Sequence, residues 1–409
     1  MTDLNTNESA EPVVGVTSRL ERLLPLGPGL LLTPDFPPQL GGIARYLYSV
    51  YSQFDLSRMK VITAATEGCA EFDDSHEYMA CRYRALERPP GLRGMWQLLQ
   101  TYRQAVKCLK QEQSQVIHCG HIYSGIVALS LKRRYGTPYL VWTHALEIMD
   151  DWLLPIVRRT LLQADLVLTN SEFTRSFIES LGLPASKIVK VYPGADVDRY
   201  RSDLDARQCA THLGIPSGRV LLTLGTLSRS HRYKGQDMVI RSLPVVLKSV
   251  PDLVYVIAGS GNDVPYLHNL VHEVGVTEHV TFLGRVAEED VPLLYNSCDV
   301  FIMCSRQERT RRGVLAEGFG IVFLEASAAG KPVIGGLSGG IPDAVRDGVT
   351  GLLVDPRDPV AIASAIIRLF SKPDLARTLG QNGRTWIEQQ MNWHRAAVQF
   401  QDALDSHFK

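Results

Sequence analysis

Short apolar runs alternate with longer, helix-spaced segments along nearly all of this 409-residue chain. Residues 30–33, 60–64, 116–118, 139–143 and 166–169 read as strands, and 43–53, 95–111 and 124–135 carry helical spacing between them. Apolar runs of this length, each covered by an intervening helix, indicate a parallel sheet buried on both faces. A second series starts at 219–224 and continues through 253–258, 280–282, 300–303, 333–335 and 351–354. Tyr192-Pro193-Gly194 and a polar stretch at 199–208 separate the two series, which places a junction near residue 195. The chain is also longer than one hydrophobic core usually serves. The expected fold class is therefore α/β, with two Rossmann-like, doubly wound domains. In such sheets ligands bind beyond the carboxyl ends of the strands, so two facing units would enclose one interdomain cleft. The expected division is a disordered polar leader at 1–26, a first domain at 27–195, a second at 196–385 and a terminal helix at 386–409. That helix either finishes the second domain or crosses back to the first.

Composition narrows the function classes. Lysine plus arginine and aspartate plus glutamate both number 43, so formal net charge is zero and nothing suggests bulk nucleic-acid binding. The seven cysteines are scattered, with no C-x2-C pair, and read as reduced thiols rather than a disulfide frame or zinc site. No apolar run reaches the roughly 18–20 residues of a membrane span. The N-terminus is polar and carries no secretory signal. These features suggest a cytoplasmic protein whose membrane association, if any, is peripheral.

The most informative motif is Glu317-Gly318-Phe319-Gly320-Ile321-Val322-Phe323-Leu324-Glu325. Its glycines let backbone N–H groups approach an anion, and a helix beginning near Ile321 would point its positive end there. Glu325, one to two turns further on, could reach a neutral hydroxyl-bearing group beside a phosphate. A plain helix start with two surface glutamates is the alternative. Several other candidates follow predicted strands. The stiff loop from Thr33 through Pro34, Asp35, Phe36, Pro37 and Pro38 ends at Gly41-Gly42, just before a helix. His144 closes the run 139–143 and could hydrogen-bond a sugar hydroxyl. Asn170-Ser171 reads first as a helix cap. Residues 225–235 concentrate Arg229, Arg232 and Lys234, cations suited to a diphosphate. Gly259-Ser260-Gly261 reads as a tight turn, whereas Gly284-Arg285-Val286 could present backbone groups to a base. Residues 82–110 are strongly basic and include Trp96, Leu98, Leu99 and Tyr102, as in a helix lying on an anionic membrane or one simply packed by its apolar face.

Taken as an ordered set, these motifs resemble glycosyltransferase family 4, the retaining enzymes of GT-B fold. The telling segments are Thr33–Pro38 with Gly41-Gly42, Tyr192-Pro193-Gly194-Ala195-Asp196, Tyr233-Lys234-Gly235 and the Glu317-to-Glu325 signature. The similarity runs over nearly the whole chain after the leader and is strongest to bacterial mannosyl- and glucosyltransferases of lipid-linked glycan and exopolysaccharide synthesis. It implies that Glu325 binds the nucleotide ribose and Glu317 the hydroxyls of the transferred sugar. Backbone from Gly318, Phe319, Gly320, Ile321 and Val322 would meet sugar and phosphate. Lys234 would hold the diphosphate, with Gly41 and Gly42 approaching it from the first domain. Arg285 and Val286 would contact the base, and His144 the sugar near its reacting carbon. Many relatives carry Gly-Arg-Leu where this chain has Gly225-Thr226-Leu227. Arg229, then Arg232, is the expected replacement for that missing charge. The resemblance further implies a hexose moved with retention from a donor of the UDP-glucose or GDP-mannose class to a glycan or lipid-linked acceptor. No D-x-D pair lies in a metal-binding context; the nearest acidic pairs are Asp73-Asp74 and Asp150-Asp151. Metal-independent catalysis without a cofactor is therefore expected. A sugar-nucleotide epimerase and a silent nucleotide-sugar-binding protein are the other readings of this architecture.

Overall fold

The computed structural model describes residues 23–38, 41–75, 79–84, 90–111 and 116–408. Seven strands form the first sheet: β1 (Gly29–Leu32), β2 (Met59–Ala64), β3 (Met79–Tyr83), β4 (Val116–Cys119), β5 (Tyr139–Thr143), β6 (Leu166–Thr169) and β7 (Ile188–Lys190). Their spatial order is β3-β2-β1-β4-β5-β6-β7, and every pairing is parallel. Parallel strands require crossovers, and the intervening helices cover both faces. That is why β1, β5 and β6 are buried along their whole length.

The second domain repeats the scheme with β8 (Arg219–Leu224), β9 (Leu253–Ala258), β10 (Val280–Gly284), β11 (Val300–Met303), β14 (Val333–Gly336) and β15 (Gly351–Val354). Their order is β10-β9-β8-β11-β14-β15, again all parallel. A small antiparallel hairpin, β12 (Glu308–Thr310) and β13 (Gly313–Leu315), branches off before the Glu317 motif. It docks on the first domain: the Asp151 N–H donates to the Arg312 carbonyl at 2.7 Å, and Asp150 and Asp151 pair with Arg312 and Arg309. The Asp150-Asp151 pair is thus consumed by arginines at the interface. Asp73 is likewise taken, by a two-pronged contact from Arg82 at 2.7 Å.

The chain crosses between domains twice, at adjacent places. Gly194 lies so close to the second crossing that a Cβ there would stand 2.4 Å from the Asn392 carbonyl carbon, and the Ala195 N–H bonds the Met391 carbonyl at 2.9 Å. After that crossing the helix Trp393–His407 returns to the first domain. It buries Ala396, Ala397, Phe400 and Ala403 among Leu31, Tyr51, Phe54 and Trp142. The terminal segment is therefore two helices, because Pro373–Gln389 belongs to the second domain. Leader residues 1–22 lie outside the described residues, but 23–26 belong to the fold rather than to a leader. Leu24 bridges to Phe54, and Leu26 is buried in the first core.

Candidate active site

The loop after β1 leads to the helix Gly42–Tyr51, whose N-cap is Gly41. Among the described residues, and leaving out chain neighbours, no atom lies within 4 Å of where a Cβ would be at Gly41 or Gly42. The helix buries Ala44, Tyr46, Leu47, Val50 and Tyr51 in its own domain. Arg45, on another face, reaches the second domain.

β5 delivers His144 to the cleft. Its ring is buried edge-on to Tyr46, with centroids 5.7 Å apart, and Nε2 lies 3.0 Å from the Gly120 carbonyl. With the proton on Nε2 donated to that carbonyl, Nδ1 remains an acceptor. Burial lowers the His144 pKa to about 4, against smaller opposing effects from the Gly120 bond and Asp35. The imidazole is therefore neutral at ordinary pH. Ala145 follows at φ 95°, a conformation in which L-residues are strained. Next comes Glu147, whose carboxylate accepts the His144 N–H at 2.5 Å. Burial pushes the Glu147 pKa up to about 7.

The second domain supplies the opposite wall. A 3-10 turn after β8, Arg229–Lys234, turns Lys234 inward, and its Nζ meets Glu317 Oε2 at 2.7 Å. Gly320, at φ 95°, caps the helix Ile321–Ala328 and aims its amino end at the same space. Gly318 packs directly on the first domain: a Cβ there would lie 2.2 Å from the His144 carbonyl oxygen. Between the walls lies a cavity of about 410 Å³ lined by Gly42, His144, Glu147, Thr226, His231, Lys234 and Glu317 through Val322, among others. Convergent polar groups in one cleft, under the amino end of a helix, suit an anionic ligand with a polar body.

Glu325 sits just beyond, 3% exposed, and is fully engaged. Its Oε1 accepts from Arg45 at 2.6 Å and Tyr200 at 2.9 Å, and its Oε2 accepts from Tyr295 at 2.8 Å. Arg45 also contacts Glu288, which Arg199 approaches at 3.0 Å.

His144, Lys234, Glu317, Gly42 and residues 318–322 thus come together as the sequence suggests. Gly41 stands beside them at the helix start. Arg229 does not join them: it is exposed and outside the cavity lining, and its N–H bonds Asn262 at 2.9 Å. Arg232 is turned away, paired with Asp263 at 2.5 Å and stacked 3.7 Å over Tyr266. Neither lines the cavity beside Thr226. Arg285 is exposed after β10, and Val286 packs on the second domain's core. Sequence reasoning missed Arg45, Glu147, Tyr200, His231 and Tyr295. Arg45, one helical turn after Gly42, and His231, inside the loop 225–235, had a local signal.

The chain is similar to known proteins over nearly its whole length. The family model "Glycosyl transferases group 1" matches residues 217–386, and "Glycosyltransferase Family 4" matches residues 40–199. A GDP-mannose-dependent alpha-(1-6)-phosphatidylinositol monomannoside mannosyltransferase of Mycobacterium tuberculosis is 34% identical over 384 residues, covering 92% of this chain and 97% of its own. The Mycolicibacterium smegmatis protein of the same name is 33% identical, with the same coverage. Among solved structures, Anabaena HepE in complex with UDP and glucose superposes with a TM-score of 0.77 at 22% identity, over 93% of this chain and 100% of that one. Sucrose-phosphate synthase from Thermosynechococcus elongatus gives 0.76 at 22%, over 94% and 99%. These structures show the GT-B fold. The chain belongs to glycosyltransferase family 4. Within that family it is a hexosyltransferase that draws on a nucleotide sugar.

Proposed function

We propose that the protein transfers mannose from GDP-mannose to a lipid-linked, phosphatidylinositol-type glycan acceptor, with retention and without a metal ion. The observation that carries this reading is the convergence of Lys234, Glu317 and the Ile321 helix end, from one domain, with Gly42 and His144 from the other, on one cavity. Relatives 29–34% identical over 92% of this chain bear GDP-mannose-dependent names, which favours mannose over glucose.

In this reading the diphosphate lies between Lys234 and the amino end of the Ile321–Ala328 helix, with the Gly41-Gly42 backbone opposite. As the bond from the anomeric carbon to the phosphate oxygen breaks, charge grows on that oxygen. Lys234 and the helix end stabilise it where it develops. The acceptor hydroxyl attacks the same face, its oxygen bonds to the anomeric carbon, and its proton passes to the leaving phosphate. Glu317 and neutral His144 hold sugar hydroxyls, and Glu325 accepts from the ribose. Arg285 and Val286 flank the base. His231, which lines the cavity, faces the diphosphate side more directly than Arg229.

Peripheral membrane contact fits the helix Pro90–Gln111, which exposes Met95 (62%) and Leu99 (42%) in line with exposed Arg103 and Lys107. Apolar anchors beside cations suit an anionic bilayer surface. Arg82 belongs to β3, buried against Asp73, and is not on that surface. Arg88 and the side chain of Arg93 lie outside the described residues. No helix among the described residues is long and apolar enough to cross a membrane.

The test is a product assay with GDP-mannose, UDP-glucose and related donors, with and without a phosphatidylinositol mannoside acceptor, in chelator. Acceptor-dependent mannosyl transfer is expected. Efficient use of UDP-glucose alone, isomerisation without acceptor, or loss of turnover in chelator would each refute the corresponding part.

A further inference from the structure

The carboxylate that would receive the donor's ribose is already occupied, and by the opposite domain. Glu325 takes three donors: Arg45, Tyr200 and Tyr295. Tyr200 and Tyr295 belong to the second domain's core and reach Glu325 from its own side. Arg45 comes from the first domain, on the helix that starts at Gly42. Glu325 is only 3% exposed, and this guanidinium reaches its Oε1 from the opposite domain. The opposite prongs of Arg45 hold different carboxylates: Nη1 is on Glu325 and Nη2 on Glu288. Such a forked contact uses the planar geometry of arginine and is not reproduced by lysine. Burial alone would lower the Arg45 pKa, but Glu325, Tyr200 and Glu288 outweigh it and hold the side chain firmly charged.

We propose that Arg45 is a cross-cleft latch that competes with the donor's ribose for Glu325 and thereby sets donor affinity. It is a positioning residue acting through Glu325. The inference rests on the reading that Glu325 binds ribose. Arg45 and Tyr200 already take both lone pairs of Glu325 Oε1, so a ribose hydroxyl that donates to that oxygen displaces one of them. Where it takes the position of Arg45, nucleotide binding breaks a link between the domains. The apparent dissociation constant is raised by the reciprocal of the unlatched fraction. Closure in the absence of donor also protects a buried carboxylate that would otherwise face the cleft without a charge partner.

The experiment is calorimetric titration of GDP into the full chain and its variants, paired with donor KM. Arg45→Ala should bind GDP about 5-fold tighter or more, because the competing closed state is lost. Donor KM should fall with it. Arg45→Lys, which keeps the charge but cannot span both carboxylates, should fall between the two. Glu288→Gln should tighten binding in the same direction with Glu325 intact, and it serves if Arg45→Ala folds poorly. Small-angle scattering should show the ligand-free Arg45→Ala protein more open than wild type. Glu325→Gln, made in the Arg45→Ala background so that no latch is lost with it, separates the two levels of argument. If it leaves GDP affinity unchanged, the ribose reading fails. If it weakens GDP binding while Arg45→Ala and Glu288→Gln bind no tighter than wild type, the latch fails. Weaker binding by Arg45→Ala would also overturn the latch and make Arg45 a donor contact.

Discussion

Gly318→Ala tests whether the two domain walls must meet at His144. The added Cβ would stand 2.2 Å from the His144 carbonyl oxygen and 3.2 Å from both Ala145 Cβ and Asn170 Nδ2. Restoring ordinary contact requires a shift of about 1 Å in a closely packed region. The carbonyl cannot yield easily, because Ala145 is already held at φ 95° and the His144 N–H is bonded to Glu147. Overpacking of this kind costs about 1–3 kcal/mol. The shift would fall between Glu317 and His144, and a misplacement of about 1 Å in a site can cost roughly 100-fold in rate. We therefore expect kcat/KM for GDP-mannose to drop by about two orders of magnitude. The melting temperature should also fall. The control is Gly94→Ala, a helical position where a Cβ meets nothing within 4 Å among the described residues, which should match or slightly exceed wild-type stability. Wild-type kinetics in Gly318→Ala would refute the claim that His144 and the Glu317 motif form one site.

Three further outcomes are expected. Lys234→Ala removes the cation that faces the leaving diphosphate and should lower kcat by about 100- to 1,000-fold in steady-state assays; a loss below tenfold would place the charge elsewhere. Glu147 has a folded-state pKa near 7, above its ordinary value of 4.5, so the folded protein binds the extra proton. Its contribution to stability is thus present at low pH and lost as pH rises from about 4.5 through 7. The melting temperature of wild type relative to Glu147→Gln should fall over that range, a comparison that cancels the opposite trend from the buried neutral histidines His118, His121 and His144; a constant difference would contradict the assignment. Finally, Met95→Ser with Leu99→Ser should reduce co-sedimentation with anionic vesicles, and unchanged binding would take this helix out of membrane contact.

Much of this was legible because apolar runs in a parallel sheet are written continuously in sequence. The strands β1, β2, β4, β5, β6 and six in the second domain follow the runs closely. β3 and β7 were missed for a physical reason. Both are edge strands of the first sheet, and Met79–Tyr83 carries Arg82 while Ile188–Lys190 has only three residues. The β12–β13 hairpin, rich in Arg309, Arg311 and Arg312, has no apolar pattern to reveal it. In the site, Lys234, Glu317 and the Ile321 helix end were readable because one strand end and one glycine turn place them. The fate of Arg229 and Arg232 was not. A 3-10 turn fans its side chains in different directions, and Asp263 with Tyr266 decides where Arg232 goes. Arg45 finds Glu325 at a separation of 280 residues, a meeting that only the docking of the two domains creates.

The most direct measurement is a crystal structure of the complex with GDP. The expected electron density places the pyrophosphate against Lys234 and the amino end of the Ile321–Ala328 helix, with the ribose on Glu325 where Arg45 now sits. A nucleotide bound outside that cleft, with the Lys234–Glu317 and Arg45–Glu325 contacts undisturbed, would contradict the account.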